Sequence, residues 1–158
     1  MAKGKTNALR ILDSKKVQYE VYTYESNDGK IDGVSVAEKV GLDTSQVYKT
    51  LVAQGNTMDI FVFVIPVEKE LDLKKAAKVA GVKKIEMIPV KDIQTHTGYI
   101  RGGCSPVGMK KAYPTFIDTT ALNLNSIIVS AGKIGMQVHL KVNDLLESTN
   151  GQIADLIK

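Results

Sequence analysis

The sequence has no tryptophan, one cysteine, two histidines and four prolines in 158 residues, and aromatic residues make up 6% of it. Each scarcity excludes something. A lone cysteine, Cys104, forms no internal disulfide, so the chain is not a disulfide-stapled scaffold and fits a reducing compartment. Cys104, His96 and His139 lack the close pairing that zinc sites use, which excludes a recognisable metal motif. The longest apolar run, residues 60–65, is far shorter than the roughly 20 residues that span a bilayer. The start, MAKGKTNALRILDSKK, turns polar before a signal-peptide core can form. No repeat and no low-complexity linker divides the chain. The expectation is a cytoplasmic protein with no membrane segment, one domain over residues 1–158, long enough to bury a substantial core.

What is present is ordinary for a globular protein: 44% hydrophobic and 24% charged residues. Net charge is +4 and the isoelectric point is near 9.0, which permits an anionic partner without demanding one. Helical and extended periodicities alternate, which predicts mixed α and β structure. Thr6 is placed to cap a first helix with Ala8, Ile11 and Leu12 on its apolar face. VQYEVYTYES reads as a strand and SNDGKIDG as a loop. Ser35 and Glu38 stand at capping-box spacing ahead of Gly41, and Asp43 opens a further turn. KTLVAQ and DIFVFVIP form a hairpin across Gly55–Asn56. The second of these strands has no alternation, so it belongs at the centre of the sheet, buried on both faces. Asp72 caps a helix with Leu73, Ala76, Ala77 and Ala80 on one face, ended by Gly81. KKIEMI is a strand, and Pro89 opens a helix towards Gly98. TFID, SIIVS and MQVHLK are strands, and Asn143 caps a final helix. The sum is six or seven strands interleaved with about five helices, in a mixed sheet.

The most unusual stretch is GYIRGGCSPVGMKK, residues 98–111, which holds four of the 13 glycines and the only cysteine. Cys104 as a nucleophile needs His96 or His139 as base, and neither stands in a protease-like context. Gly103 and Gly108 have the gap of a phosphate loop, but Met109 and Lys110 follow where Lys-Ser/Thr belongs. Ser130 lies in SAGKIG, which is not a nucleophile elbow. Lys49 sits where a polar turn enters a buried strand; a lysine there either snorkels to solvent or faces a pocket. Ser130, Ala131 and Gly132 end another strand in small residues, a place where a ligand can approach the backbone.

Four segments in order carry a resemblance: QVYKTLVA (46–53), ELDLKKAAKVAGVKKIEM (70–87), TGYIRGGCSPVGMKKAYPTFID (97–118) and IIVSAGKIG (127–135). Together they resemble the YbaK/EbsC family, whose characterised members include Cys-tRNA(Pro) deacylases and whose relatives edit for prolyl-tRNA synthetases. The resemblance implies an α+β fold with a compact, mixed, barrel-like sheet of six to seven strands surrounded by helices. It implies trans-acting hydrolysis of the ester of mischarged tRNA, Cys-tRNA(Pro) or Cys-tRNA, with no cofactor and no metal. Its partners would be the 3′ acceptor end of aminoacyl-tRNA and prolyl-tRNA synthetase. It makes Lys49 the catalytic residue. Tyr24, Thr50, Thr97, Tyr99, Gly102, Gly103, Pro106, Ser130 and Gly132 become substrate-binding positions. Seven lysines, at 74, 75, 78, 83, 84, 110 and 111, would then make a rim for the acceptor stem. The chain departs from the family pattern at Ala131 and Ile134. It also has Gln137 where an aspartate is usual, and Cys104 where an aliphatic residue is common. Those departures keep open the alternative of a catalytically silent module of the same fold that binds tRNA or a synthetase.

Overall fold

The computed structural model describes residues 5–25, 33–41 and 43–158. Helix α1 spans Asn7–Ser14, and the Thr6 hydroxyl accepts the Leu9 N–H at its start, 3.2 Å away. Strand β1 is Tyr19–Thr23 and helix α2 is Gly33–Val40. After a 3-10 turn capped by Asp43 come β2, Tyr48–Gly55, and β3, Ile60–Pro66. Helix α3, Leu73–Ala80, is capped by Asp72 and stopped by Gly81; β4 is Ile85–Met87 and α4 is Val90–Thr97. A long loop leads to β5, Thr115–Asp118. Strands β6, Ser126–Lys133, and β7, Met136–Lys141, precede α5, Val142–Thr149, and β8, Gln152–Ala154.

Two sheets result. One is antiparallel with the order β1-β7-β6; the other is mixed with the order β4-β2-β3-β5-β8. The hairpin β2–β3 is antiparallel, whereas β3–β5 and β5–β8 are parallel. An isolated parallel bridge, Val47 to Ile128, joins the sheets at the start of β2. The expected mixed, barrel-like α+β architecture is therefore present, as two sheets linked at one point and not as a closed barrel. Among the described residues the strands number eight. The short β8 falls outside the run of strands read from the sequence.

Every residue of β3 is buried, as its unbroken apolar run predicts. It divides two cores. One joins Tyr48, Val52 and Val64 to α1, β6 and β7; the other packs Ala53, Phe61, Phe63 and Ile65 against Ala76 and Ala77 of α3. Fully burying an Ile, Leu or Phe side chain contributes about 1.5–3 kcal/mol, so this sandwich anchors β2 on both faces.

Three local readings are corrected. Helix α2 is already under way at Gly33, so Ser35 lies inside its first turn and is not the cap. Helix α5 begins directly after β7; Lys141 takes the cap position without a side-chain cap bond, and Asn143 lies one residue inside. Leu73 heads the predicted apolar face of α3 but is 44% exposed. The loop reading of SNDGKIDG covers residues 26–33; residues 26–32 lie outside the described residues, and Gly33 already belongs to α2.

Candidate active site

Strand β2 presents Lys49. The hairpin pairs Tyr48 with Pro66, Lys49 with Ile65 and Thr50 with Val64, and the register continues to Gln54 opposite Ile60. A one-residue slip would move every side chain to the other face, so the long buried pairing fixes where Lys49 points. Residues 47–51 line a cavity of about 600 Å³. Val34 and Val36 of α2 and Val67 after β3 give it an apolar side. Arg101, Gly102 and Cys104 come from the long loop, Ser130 from β6 and Gln137 from β7. Ser130 and Gln137 are direct cross-strand partners, so they stand side by side on one face of the three-stranded sheet. The Lys49 side chain has no hydrogen bond or ion pair among the described residues. Arg101 is in the same condition, so both cations are available to an anionic ligand.

The loop wall is held from behind. Thr97 is 1% exposed; its hydroxyl donates to the Ile93 carbonyl at 2.7 Å and accepts the Tyr99 N–H at 3.0 Å. The Tyr99 hydroxyl donates to the Val107 carbonyl at 2.7 Å, and burial pushes its pKa up to about 12. The Val107 N–H donates to the Ser105 hydroxyl, and the Asn7 amide donates to the Gly108 carbonyl. Pro106 is buried inside this frame. Gly103 lets the loop press on the β6–β7 turn: a Cβ there would lie 2.8 Å from the Ile134 nitrogen and 2.9 Å from the Lys133 carbonyl carbon. Gly132 has φ +98°, and a Cβ would meet the Tyr99 ring at 2.8 Å. Both positions exclude any side chain.

Lys49, Thr50, Gly102 and Ser130 thus come together around the cavity. Thr97, Tyr99, Gly103, Pro106 and Gly132 are not among its lining residues; they shape the wall behind it. Tyr24 lies in a separate hollow with Thr23, Glu25 and Lys39, its ring 5.8 Å from the Lys39 ammonium and its hydroxyl buried without a partner among the described residues. Arg101 carries no pattern that marks it in the sequence. Gln137 stood out only as a departure.

Backbone donors differ in availability. The Gly103 N–H donates to the Ile100 carbonyl and the Gly132 N–H to the Ser130 hydroxyl. Among the glycines named for substrate contact, Gly102 alone keeps an N–H without a partner among the described residues. The Cys104 thiol lines the wall, but burial pushes its pKa up to about 11, and its hydrogen-bond partner is the Thr97 hydroxyl at 4.0 Å. It stays a thiol at neutral pH, which suits a packing group and not a nucleophile. His139 is engaged elsewhere, with Ser126 at 2.6 Å and Glu20 at 3.4 Å.

This geometry can be set beside known proteins. A family model described as the aminoacyl-tRNA editing domain matches residues 32–148. The chain is 48% identical over 152 residues to EbsC of Enterococcus faecalis, a protein named for Cys-tRNA(Pro)/Cys-tRNA(Cys) deacylation. That alignment covers 96% of this chain and 93% of the relative. The chain belongs to the aminoacyl-tRNA editing family. The matched residues contain every lining residue of the cavity, whereas Tyr24 precedes them. A proline–tRNA ligase of Burkholderia multivorans is 22% identical over 135 residues, 83% of this chain and 23% of the longer relative. A solved structure described as a trans-editing enzyme for prolyl-tRNA synthetase superposes with a TM-score of 0.82 at 23% identity, covering 98% of both chains, which shows a shared fold. No helix among the described residues is long and apolar enough to cross a membrane.

Proposed function

We propose that this chain hydrolyses the ester between a wrongly attached amino acid and the 3′ end of tRNA, with cysteine as the amino acid and tRNA(Pro) or tRNA(Cys) as the carrier. The observation that carries the reading is the cavity: partnerless Lys49 shares it with the open N–H of Gly102 on a braced loop, in a chain of the editing family.

The ester is already activated, so the site needs no protein nucleophile. It must hold the carbonyl and stabilise the oxyanion that develops on attack. The Gly102 N–H donates to that oxygen. Lys49 holds the terminal nucleotide's phosphate or polarises the carbonyl; Arg101 adds a second positive charge. With a cysteinyl ester, the substrate thiol attacks the carbonyl carbon and the C–O bond to the ribose breaks. The thiol's proton ends on the released ribose hydroxyl, and water then opens the cyclic thioester. Other esters take water directly. The apolar wall of Val34, Val36 and Val67 limits the side chain that fits. The choice of tRNA comes from a partner, prolyl-tRNA synthetase, in keeping with the family's kinship to proline–tRNA ligases.

The test is deacylation of Cys-tRNA(Pro), Cys-tRNA(Cys) and Pro-tRNA(Pro) by the purified full chain. Hydrolysis of the two cysteinyl esters at least about 10-fold above Pro-tRNA(Pro) is the expected outcome. Release of proline at the same rate, or of no amino acid, contradicts the reading; tRNA binding without release would mark a silent module.

A further inference from the structure

Two residues that line the cavity each carry a buried side-chain oxygen with no hydrogen-bond partner among the described residues. Gln137 Oε1 and the Thr50 hydroxyl oxygen are both buried and both unpartnered. Gln137 is only 6% exposed. A buried polar atom left unpaired costs about 1–3 kcal/mol, so an apolar side chain of the same shape would be the more stable choice at 137. A donor brought by the ligand removes that cost.

The surroundings narrow what the donor is. The charged groups lining the cavity among the described residues are Lys49 from β2 and Arg101 from the loop; no carboxylate of a described residue lines it. The Cys104 thiol stays protonated well above neutral pH, and the Tyr48 hydroxyl is taken by Thr120 at 2.6 Å. Helix α2 contributes Val34 and Val36, and the β6 hydroxyl, Ser130, already accepts the Gly132 N–H. The acceptors left are neutral, one on β2 and one on β7. Beside the ester bond of a cysteinyl substrate, the α-amine brings at least two N–H hydrogens, whereas the thiol and the ribose 2′-hydroxyl bring one hydrogen each.

We propose that Gln137 and Thr50 hold the α-amino group of the substrate and take it as the neutral amine. This rests on the function proposed above. Two cations, with no carboxylate among the described lining residues, disfavour an ammonium in the cavity. The α-amino group titrates near ~8, so it is protonated and disfavoured below that pH and bound above it. Gln137 is in this way a specificity-determining residue: it rejects esters whose amine is blocked.

The experiment measures binding of two stable analogues to the full chain by calorimetry, at about pH 6 and about pH 8.5, either side of the amine's titration. The probes are 3′-cysteinylamino-3′-deoxyadenosine and its N-acetyl form. Wild type binds the free amine at least about 10-fold tighter at the higher pH, and the N-acetyl form weakly and equally at both. Gln137→Met loses the preference for the free amine. Gln137→Glu keeps tight binding at the lower pH, because its carboxylate accepts the ammonium. Thr50→Val supplies the loss-of-preference measurement if Gln137→Met does not fold.

Equal binding of the two analogues by wild type, no binding of either, or a Gln137→Glu profile that follows wild type overturns the inference. Hydrolysis of Cys-tRNA(Pro) is assayed in parallel. Amine preference without hydrolysis removes the proposed reaction and leaves the amine site; hydrolysis without amine preference removes the amine site alone.

Discussion

Cys104 and Lys49 show how differently one cavity treats two reactive side chains. Burial holds Cys104 as a thiol with a pKa of about 11, so roughly one molecule in a thousand carries the thiolate at pH 8. Two measurements follow from that. Carboxamidomethylation of the native protein should stay far slower than that of a free thiol until the pH passes about 10. Cys104→Ala should deacylate within about twofold of wild type while melting slightly lower, since only packing is lost. Loss of activity with the fold intact would restore the nucleophile. Lys49 and Gly102, which line the cavity, were legible in the sequence because the family motif surrounds them. Arg101 and Gln137 were not: strand alternation tells which face a residue takes, not what a second sheet or loop sets opposite it. For the same reason Thr97 and Tyr99, read as substrate contacts, stand behind the wall with their hydroxyls committed to backbone carbonyls.

At the scale of elements, the signals that read true were those with a single physical meaning. The unbroken apolar run of β3 has no place but a sheet centre, and the Asn-containing turn after Gly55 closes the hairpin. Capping signals are degenerate: Ser35 and Asn143 are good caps in isolation, yet their helices begin earlier. Strand β8 has three residues and no alternation, and a distant acid holds its surroundings in place. Asp118 is fully buried at the end of β5. Its carboxylate accepts the Thr120 N–H, the Thr120 hydroxyl and the Leu156 N–H, the last at 2.9 Å. Asp118→Ala leaves the buried Leu156 N–H orphaned and should cost about 2–4 kcal/mol. Denaturant titration checks the loss, and faster amide exchange confined to residues 152–157 places it. A change below about 0.5 kcal/mol would show that the C-terminal strand docks without this acid.

Across the whole molecule, the cavity forms where the two sheets meet at the Val47–Ile128 bridge, so neither sheet builds it alone. The positive surface is thinner than the lysine count implies. Lys75 pairs with Asp155, Lys84 pairs with Glu86, and Lys110 donates to the Thr95 carbonyl. Lys74, Lys78, Lys83 and Lys111 have no side-chain partner among the described residues. A tRNA acceptor stem resting on these four should give a steep salt dependence. Replacing Lys74 and Lys78 by Ala should flatten the slope of log K against log salt by about 1–2, read from tRNA binding between low and moderate salt. An unchanged slope would place the acceptor stem on another face. The central claim remains the chemistry of Lys49, and deacylation of Cys-tRNA(Pro) by Lys49→Ala tests it most directly. The account predicts a rate at least about 100-fold below wild type with an unchanged melting temperature. A folded Lys49→Ala protein that hydrolyses the ester at the wild-type rate would contradict it.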